Sequence, residues 1–353
     1  MAIRSSMPGL RVGLLGCGRI AQSVHVNVLT RLPRVSLVAI ADADSERLET
    51  IGRHVPAARA FVDYRELIQS ADVDAVVVCL PNSLHAEAAV AALQKGKHVY
   101  LEKPLATSLD EGQRVLETWR RAGVVGMMGF NYRFNPLYQA LKVQYHSGRI
   151  GKGVGVRSIF STAASILPTW KQTRGTGGGA LLDLGSHHLD LVRFFFEKEV
   201  SEVSAVLRSE RNGAESAALQ MRLADGLLVQ SFFSLNAVEE DRFEIYGESG
   251  KLTVDRYASL SVIATRRTQR LARLRRLKQG IGSPASVLYL VNKLRSPLHE
   301  PSYRAALACF GSAAQTGRPV NPDFGDGYQS LSVIVAAEKS ISSGCVTVPE
   351  GNA

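Results

Sequence analysis

The sequence predicts an α/β protein in which an N-terminal, doubly wound parallel sheet is followed by a C-terminal α+β domain with an open, mostly antiparallel sheet. Up to residue 130, short apolar runs alternate with helical patterns, which is typical of βα units. From Val154 onward, longer alternating strands are joined by turns such as Ala224-Asp225-Gly226. Because 353 residues exceed the usual size of a single core, two domains are expected, 1–130 and 131–353, with the C-terminal helices able to pack back on the first.

The individual elements follow from the apolar runs and the residues that interrupt them. One run, Asp74–Leu80, is unbroken, as expected for a central parallel strand covered on both faces. The predicted strands of the first domain are Leu10–Leu15, Val35–Ala41, Ala60–Val62, Asp74–Leu80, His98–Leu101 and Val124–Phe130. Those of the second are Val154–Phe160, Val200–Ser209, Ala217–Leu223, Leu227–Leu235, Phe243–Gly247 and Lys251–Asp255. The predicted helices include Ala21–Leu32, Tyr64–Gln69, Ser83–Lys95, Gly177–Phe196, Ser302–Thr316 and Gly327–Ser343.

A glycine-rich turn follows the first predicted strand. Residues 16–21 read GCGRIA and match the G-x-G-x-x-[G/A] pattern between a strand and a helix. Gly16 would allow the tight turn, Gly18 the close approach of a pyrophosphate, and the small Ala21 the packing of helix on strand. The helix N-terminus would supply N–H donors to the phosphates. The pattern predicts a Rossmann dinucleotide-binding domain.

The second strand ends in Asp42, where a carboxylate can accept hydrogen bonds from the adenosine ribose. Ala43, Asp44 and Ser45 follow, so a 2′-phosphate would meet two carboxylates and no adjacent cation. NAD is therefore predicted over NADP. Binding of NADP remains an alternative, because the Arg47 side chain could swing toward the same corner and bind the 2′-phosphate.

Further polar residues fall at predicted strand ends, where doubly wound sheets bind their ligands. Pro81 and Asn82 follow one strand, and Glu102 and Lys103 follow the next. A surface lysine is usually a solvated charge, but Lys103 lies between a carboxylate and Pro104, which restricts its conformation. Glu102 could hold the local geometry or bind the ribose.

The predicted helix Gly177–Phe196 has an unusual composition for a buried element. Its apolar residues recur at three- and four-residue steps, so most of its circumference should be covered. It nevertheless carries Asp183 and His187, four residues apart and thus one turn apart on the same face. A carboxylate beside a poorly solvated imidazole could serve acid/base chemistry. The alternative is a satisfied polar pair within a core helix.

From its composition, the protein is expected to be cytoplasmic. Apolar residues make up 45% and charged residues 21% of the chain, which is ordinary for a globular protein. The cysteines lack paired or metal-like spacing and suit a reducing compartment; they are Cys17, Cys79, Cys309 and Cys345. No apolar stretch of the sequence reaches the length that a bilayer crossing requires.

The net charge of +10 is concentrated in one segment. Residues 266–278, RRTQRLARLRRLK, hold seven cations and no acid, and without them the charge is +3. A basic amphipathic helix at 266–281 could lie on an anionic membrane, hold a phosphorylated substrate or pack in an oligomer. The alternative is a solvated excursion, which repulsion between like charges favours. No nucleic-acid binding is expected, since the segment lacks interleaved aromatics and a recognisable module.

Six segments of the chain together carry a family resemblance. They are GCGRIA at 16–21, Asp42, PNSLH at 81–85, GKHVYLEKP at 96–104, GFNYRF at 129–134 and GGGALLDLGSHHLD at 177–190. These motifs resemble those of the Gfo/Idh/MocA oxidoreductases, the family of glucose-fructose oxidoreductase and inositol dehydrogenase. The resemblance implies a Rossmann domain followed by an open, mostly antiparallel domain for substrate binding and oligomerisation. It also implies NAD(P)-dependent hydride transfer to or from a sugar or polyol carbon.

The resemblance further implies roles for individual residues. Lys103, Asp183 and His187 match the family's catalytic trio: His187 accepts the proton of the substrate hydroxyl, Lys103 polarises its oxygen, and Asp183 orients the substrate. The residues expected to bind the cofactor are Gly16, Gly18, Arg19, Ile20, Ala21, Asp42, Pro81, Asn82, His85, Glu102 and Lys103. The candidate substrate residues are Arg133, Trp170, Arg174 and His188. No metal is expected, because His188 and Asp190 would point to different faces of one helix.

Three functions are carried forward from the sequence. The leading one is an NAD-dependent sugar or polyol dehydrogenase with a small-molecule substrate. A nucleotide-sugar 3-dehydrogenase or ketoreductase is favoured if the basic segment contacts phosphates. A non-catalytic NAD-sensing regulator is the third, and the presence of all three catalytic residues argues against it. A homo-oligomer, either a dimer or a tetramer, is expected because an open sheet leaves an exposed face.

Overall fold

The computed structural model describes two compact units, each with its own sheet. The described residues are 9–163, 168, 171, 174, 177–209, 215–266 and 284–348. The first unit runs up to Asn131 and also contains Glu300–Tyr328, whereas the second contains Tyr132–His299 and the residues from Gln329 onward. Both units are therefore discontinuous in sequence. The predicted division into domains at residue 130 stays a prediction.

The first unit contains a parallel sheet of six strands in the order β3-β2-β1-β4-β5-β6. The strands are β1 (Leu10–Leu15), β2 (Val35–Ala41), β3 (Arg59–Phe61), β4 (Ala75–Val78), β5 (His98–Leu101) and β6 (Gly126–Met128). All four residues of β4 are buried, as expected for a strand covered on both faces. The strand order reverses between β1 and β4, which is the position where doubly wound sheets bind ligands.

Ten α-helices are described in the two units. They are α1 (Val26–Leu29), α2 (Ser45–Gly52), α3 (Tyr64–Gln69), α4 (His85–Gln94), α5 (Leu109–Ala122), α6 (Pro136–His146), α7 (Ser186–Phe196), α8 (Pro284–Arg295), α9 (Ser302–Thr316) and α10 (Phe324–Ser343). The starts of α2, α3 and α5 are capped by the side chains of Asp44, Asp63 and Ser108, which accept backbone N–H bonds. Among the described helices, none is both long and apolar enough to cross a membrane.

The second unit contains a sheet of eight strands in the order β13-β12-β11-β7-β10-β9-β8-β14. The strands are β7 (Gly153–Ser161), β8 (Val200–Ser209), β9 (Glu215–Leu223), β10 (Leu228–Ser234), β11 (Glu240–Gly247), β12 (Gly250–Asp255), β13 (Ile263–Arg266) and β14 (Val346–Thr347). Only the pairing of β7 with β10 is parallel among these strands. The predicted fold class, with a mostly antiparallel second sheet, is confirmed.

In the described part of the chain, the side chains on one face of the second sheet are buried and those on the other face are largely exposed. Along β9, buried and exposed residues alternate, so a single face reaches the core. On the outward face, Val206, Leu228 and Phe232 are exposed. The two short edge strands β13 and β14 were not predicted, since four and two residues give little periodicity to detect.

The helix predicted at Gly177–Phe196 begins later and is less regular than expected. Gly177 and Gly179 have φ values of +86° and +91°, so the glycine-rich start forms a turn instead of helix. A π-helical turn, Leu181–Gly185, then leads into α7. Such wider turns within helices are frequent at functional sites.

Candidate active site

The glycine turn lies directly after the central strand β1. Gly16 has a φ of +93°, and a Cβ there would lie 2.6 Å from the Cys79 carbonyl oxygen, so only glycine fits. At Gly18 the opposite holds, because an added Cβ would meet no atom within 4 Å. Gly16 therefore fixes the turn, whereas Gly18 leaves the backbone open to a close approach.

The other residues of the glycine motif differ from one another in how deeply they are buried. Ala21 is fully buried where the helix packs on the sheet, Arg19 is exposed, and Ile20 is half-buried. The helical segment here starts with a π-helical turn, Ala21–His25, which continues into α1. The N-terminus of a helix presents backbone N–H groups to anions, so this end of the sheet fits a pyrophosphate.

Asp42 lies at the carboxyl end of β2, beside the glycine turn. Its two carboxylate oxygens accept the backbone N–H groups of Cys17, at 2.7 Å, and Asp44, at 2.9 Å. Each oxygen has two acceptor positions, so both can still accept hydroxyl donors. Arg47 is paired with Asp44 at 3.2 Å. The corner thus suits the diol of an adenosine ribose better than a phosphate.

Glu102, at the end of β5, is held by a buried histidine. Its Oε1 lies 2.8 Å from Nε2 of His25, and the two residues are 9% and 0% exposed. The His25 ring also makes edge contacts with Tyr100 and Tyr303. Of the two roles left open for Glu102, this environment favours holding the local geometry.

His85 links the loops that follow β4 and β5. Its Nδ1 lies 2.7 Å from the Pro104 carbonyl oxygen and its Nε2 lies 2.9 Å from that of Leu80. The ring is 1% exposed, and burial lowers its pKa although both carbonyl contacts oppose this shift. These contacts favour a role in positioning Lys103, whose peptide bond to Pro104 is cis. Direct binding of the cofactor by His85 stays a prediction.

Two of the remaining predicted cofactor residues lie at the end of β4. Pro81 is half-buried and precedes the 3-10 turn Asn82–Leu84, and Asn82 is 5% exposed. The carboxyl ends of β1, β2, β4 and β5 thus carry the glycine turn, Asp42, the Pro81-Asn82 pair and Lys103. Such an arrangement at a topological switch point fits a dinucleotide.

In the second unit, Asp183 lies in the π-helical turn before α7 and is 8% exposed. Lys171 donates from Nζ to both carboxylate oxygens at 3.1 Å. This lysine was not predicted, because nothing in the spacing of Lys171 and Asp183 marks the pair. Its ammonium favours the charged form of the carboxylate.

His187 lies one helical turn further along, at the start of α7, and is also 8% exposed. Its ring stacks on Tyr132, with centroids 4.3 Å apart and an angle of 18° between the planes. The guanidinium carbon of Arg256 lies 4.5 Å from the centre of the same tyrosine ring. The imidazole is therefore oriented by an aromatic contact with Tyr132. This contact could not be predicted from the sequence around His187.

His188 lies in the core of the second unit. It is 0% exposed, and its Nε2 lies 3.1 Å from Oδ1 of Asp241. Asp241 also accepts from the Tyr138 hydroxyl and, at 2.6 Å, from Nε of Arg256. This position favours a structural role for His188, since a fully buried ring cannot touch substrate without a rearrangement of the core.

The other candidate substrate residues have protein partners as well. Arg133 is 5% exposed and makes a bidentate pair with Asp190, at 2.8 and 2.6 Å, which favours a structural role. Arg174 is half-buried and pairs with Glu338. Trp170 lies outside the described residues. Among the residues that are described, no three His, Cys, Asp or Glu side chains form a group that could hold a metal.

Comparison with known proteins identifies the family. Residues 10–130 match the model of the oxidoreductase family with an NAD-binding Rossmann fold, and residues 138–253 match the GFO/IDH/MocA C-terminal domain. The two matches together span more than half of the chain. The chain belongs to the Gfo/Idh/MocA family. The family predicted from the sequence is thereby confirmed.

Individual members of the Gfo/Idh/MocA family resemble the chain over most of its length. Myo-inositol 2-dehydrogenase of Thermotoga maritima is 29% identical over 341 residues, 94% of this chain and 96% of that protein. The dTDP-3,4-didehydro-2,6-dideoxy-alpha-D-glucose 3-reductase of Actinomadura kijaniata is 30% identical over 251 residues, 70% of this chain and 75% of that protein. The solved structure of levoglucosan dehydrogenase in complex with NADH and L-sorbose is 25% identical, with a TM-score of 0.85 over 98% of this chain and 100% of that chain.

Membership of the Gfo/Idh/MocA family makes this protein an NAD-binding oxidoreductase, and the predicted cofactor and enzyme class are confirmed at that level. The C-terminal family match ends at residue 253. Strand β13 and helix α8 follow that residue, so they lie outside both matches.

Proposed function

We propose that this Gfo/Idh/MocA protein is an NAD-dependent dehydrogenase of a sugar or polyol hydroxyl, with Lys103, Asp183 and His187 as its catalytic residues. The observation that carries the proposal is the placement of Asp183 and His187. Both are 8% exposed, and they flank the junction of a π-helical turn and α7. A structural ion pair would need only Asp183 and Lys171. A poorly solvated imidazole, stacked on Tyr132 and four residues after Asp183, is suited to proton transfer.

In this proposal His187 accepts the proton of the substrate hydroxyl. Bound NAD supplies the hydride acceptor. Loss of hydride from a secondary alcohol builds positive charge on carbon unless the hydroxyl proton leaves in concert, so a base at the oxygen lowers the barrier. The Lys103 ammonium stabilises negative charge on that oxygen. Asp183, charged and fixed by Lys171, orients the substrate hydroxyls.

Holding the cofactor falls to the residues at the carboxyl ends of β1, β2, β4 and β5. Gly18 leaves space for the pyrophosphate, and Asp42 keeps acceptor positions for the adenosine ribose. Glu102 and His85 hold the loop that carries Lys103. Arg19, Ile20, Pro81 and Asn82 complete the proposed set.

A turnover screen tests the function. The full chain with NAD is offered inositols, hexoses, anhydrosugars and dTDP- or UDP-sugars, and NADH formation is followed by absorbance. Turnover of a free sugar or polyol supports the proposal. Turnover restricted to nucleotide sugars would favour the alternative suggested by the reductase of Actinomadura kijaniata. NADH binding without turnover of any substrate, in either direction, would favour a non-catalytic NAD-sensing regulator.

We expect a higher kcat/KM with NAD than with NADP. The adenosine corner presents Asp42 and Asp44, and the nearby Arg47 is paired with Asp44, so a 2′-phosphate would face two carboxylates. Steady-state kinetics with each cofactor, using whichever substrate the screen identifies, measures the ratio. A preference for NADP would show that the Arg47 side chain leaves Asp44 and binds the phosphate.

Gly18→Ala is expected to raise the Kd for NADH by about tenfold or more while the protein stays folded. The added methyl meets no protein atom within 4 Å, so it occupies space that the pyrophosphate needs. Fluorescence titration measures the Kd, and the melting temperature reports the fold. Gly52→Ala, on α2, is the matched control because its methyl also meets nothing within 4 Å. Unchanged NADH affinity in Gly18→Ala would place the pyrophosphate elsewhere.

Other expectations about the protein's partners stay predictions. A homo-oligomer, dimer or tetramer, is supported by the open face of the second sheet, where Val206, Leu228 and Phe232 are exposed. The cytoplasmic location is an expectation from the sequence alone. The membrane contact predicted for residues 266–281 lies outside the described residues, apart from Arg266.

A further inference from the structure

Helix α8 (Pro284–Arg295) turns its apolar side outward. Val287, Leu290, Val291 and Leu294 follow the i, i+3, i+4, i+7 spacing of one helix face and are 60%, 37%, 38% and 62% exposed. Leu288, beside them, is 72% exposed. An ordinary surface helix buries such a stripe against the core, so this face is built to meet something outside the described part of the chain.

The inward side of the same helix is polar and fixed. Ser286 and Tyr289 are buried, and Lys293 donates from Nζ to the carbonyl oxygens of Arg256 and Tyr257, at 2.8 and 3.0 Å. Rotation about the helix axis would turn Lys293 away and leave the carbonyl oxygen of Arg256, a residue only 8% exposed, without this donor. The outward direction of the apolar stripe is therefore a stable property of α8.

The apolar face belongs to the most basic part of the chain. Between Asp255 and Glu300 the sequence has no acid and ten Lys and Arg residues, which equals the whole net charge of +10. One of the ten, Arg256, is buried and paired with Asp241. Two others, Lys293 and Arg295, lie on α8 itself, and the remaining seven are in residues 266–278. Outside this segment the chain is neutral overall.

We propose that α8 docks the protein on an anionic membrane surface, with Val287, Leu288, Val291 and Leu294 entering the headgroup region. The helix offers an apolar face and the exposed Arg295, and the sequence that leads into it is rich in cations. Apolar side chains and nearby positive charge are the two features that an interfacial helix needs. The proposal goes beyond the dehydrogenase function and does not depend on its substrate.

A second copy of the chain is the less suitable occupant of this face. In a two-fold dimer, each surface meets its own copy, so α8 and its cations would face the same cations on the partner. Like charges across an interface repel, and this segment offers no acid to relieve the repulsion. Anionic lipid supplies both an apolar layer and the opposite charge.

Vesicle flotation with the full chain tests the proposal. Vesicles of phosphatidylcholine alone are compared with vesicles containing about one third phosphatidylglycerol, at low and at high salt. We expect binding to the anionic vesicles at low salt, little binding to the neutral ones, and release as salt screens the cations. Equal binding to both compositions, or no binding to either, would overturn the proposal.

Two variants locate the binding surface. Leu288→Asn should weaken vesicle binding by about tenfold. The leucine side chain is 72% exposed in the free protein and is transferred from water into the membrane on binding, whereas the polar asparagine would gain nothing from that transfer. Arg295→Gln should weaken it by about fivefold, the effect of one surface cation near anionic lipid. Val143→Asn is the matched control, an exposed apolar residue on α6 at 66% exposure, and should bind like the parent protein.

The variants also distinguish the other occupants. If Leu288→Asn binds vesicles as well as the parent protein does, α8 is not the docking surface. If the parent protein binds no vesicles but its mass in solution doubles with concentration, and Leu288→Asn abolishes the doubling, then a second copy covers this face. Melting temperatures of all three variants verify that the exposed substitutions leave the fold intact.

Discussion

His187→Ala is expected to lower kcat by about 10²- to 10⁴-fold, the usual contribution of a positioned acid/base group. The imidazole is the proposed proton acceptor, so its loss leaves the hydroxyl proton to water. NADH binding should be retained, because the proposed cofactor residues belong to β1, β2, β4 and β5 and the loops after them. Turnover is measured by NADH formation with the substrate found in the screen, and NADH affinity by fluorescence titration.

His54→Ala is the control for this prediction, since His54 is exposed on the surface of the first unit. A pH profile adds a second readout. The parent protein should lose activity as acid protonates the base, whereas the residual activity of His187→Ala should lack that limb. Unchanged turnover in His187→Ala, or loss of NADH binding together with turnover, would contradict the proposed role.

Asp241→Asn is expected to reduce the free energy of unfolding by about 3–5 kcal/mol, as breaking a buried ion pair does. Asp241 is 0% exposed and is the shared partner of Arg256, His188 and Tyr138. An amide in its place leaves the buried guanidinium uncompensated. Urea unfolding followed by circular dichroism measures the loss, with Asp72→Asn, a 71% exposed carboxylate, as the control.

The pH dependence of this effect has a definite sign. Burial raises the pKa of Asp241, but the charge of Arg256 and the hydrogen bonds from His188 and Tyr138 lower it by more, so the net shift is downward. The carboxylate therefore contributes stability above the unfolded pKa of about 3.9, and the contribution is lost as the pH falls through the folded pKa. The difference in the free energy of unfolding between the parent protein and Asp241→Asn should therefore become smaller in acid. A gap that is constant or that widens in acid would contradict the prediction.

The parallel sheet could be predicted because its signals are local. β1, β2 and β5 begin and end where their apolar runs do, and the glycine motif follows β1 directly. The second sheet was predicted for the same reason, apart from the short edge strands. Helix α8 was not predicted, although Val287, Leu290, Val291 and Leu294 have the spacing of one helix face. The outward direction of that face could not be predicted, because an apolar stripe normally indicates the side that packs on the core.

The candidate site was predictable only in part. Asp183 and His187 share one helix, so their spacing revealed them. The partners that fix them lie elsewhere in the chain: Lys171 is twelve residues before Asp183, and Tyr132 precedes the second sheet. Tertiary pairing of this kind leaves no periodic trace. Conversely, the sequence around His188 suggests a site residue, but its ring lies in the core. Its partner Asp241, which is distant in sequence, is buried there as well.

The His85 ring has a consequence for the two loops that it joins. Burial lowers the pKa of this ring and so favours its neutral form, which carries a single N–H, yet both of its nitrogens lie within hydrogen-bond distance of carbonyl oxygens. The N–H of the neutral ring can therefore donate to only one of the two carbonyl oxygens at a time, that of Pro104 or that of Leu80. A tautomer exchange at this ring would tighten the backbone beside Lys103 while loosening the backbone before Asn82, so the two loops are coupled through the location of one hydrogen atom.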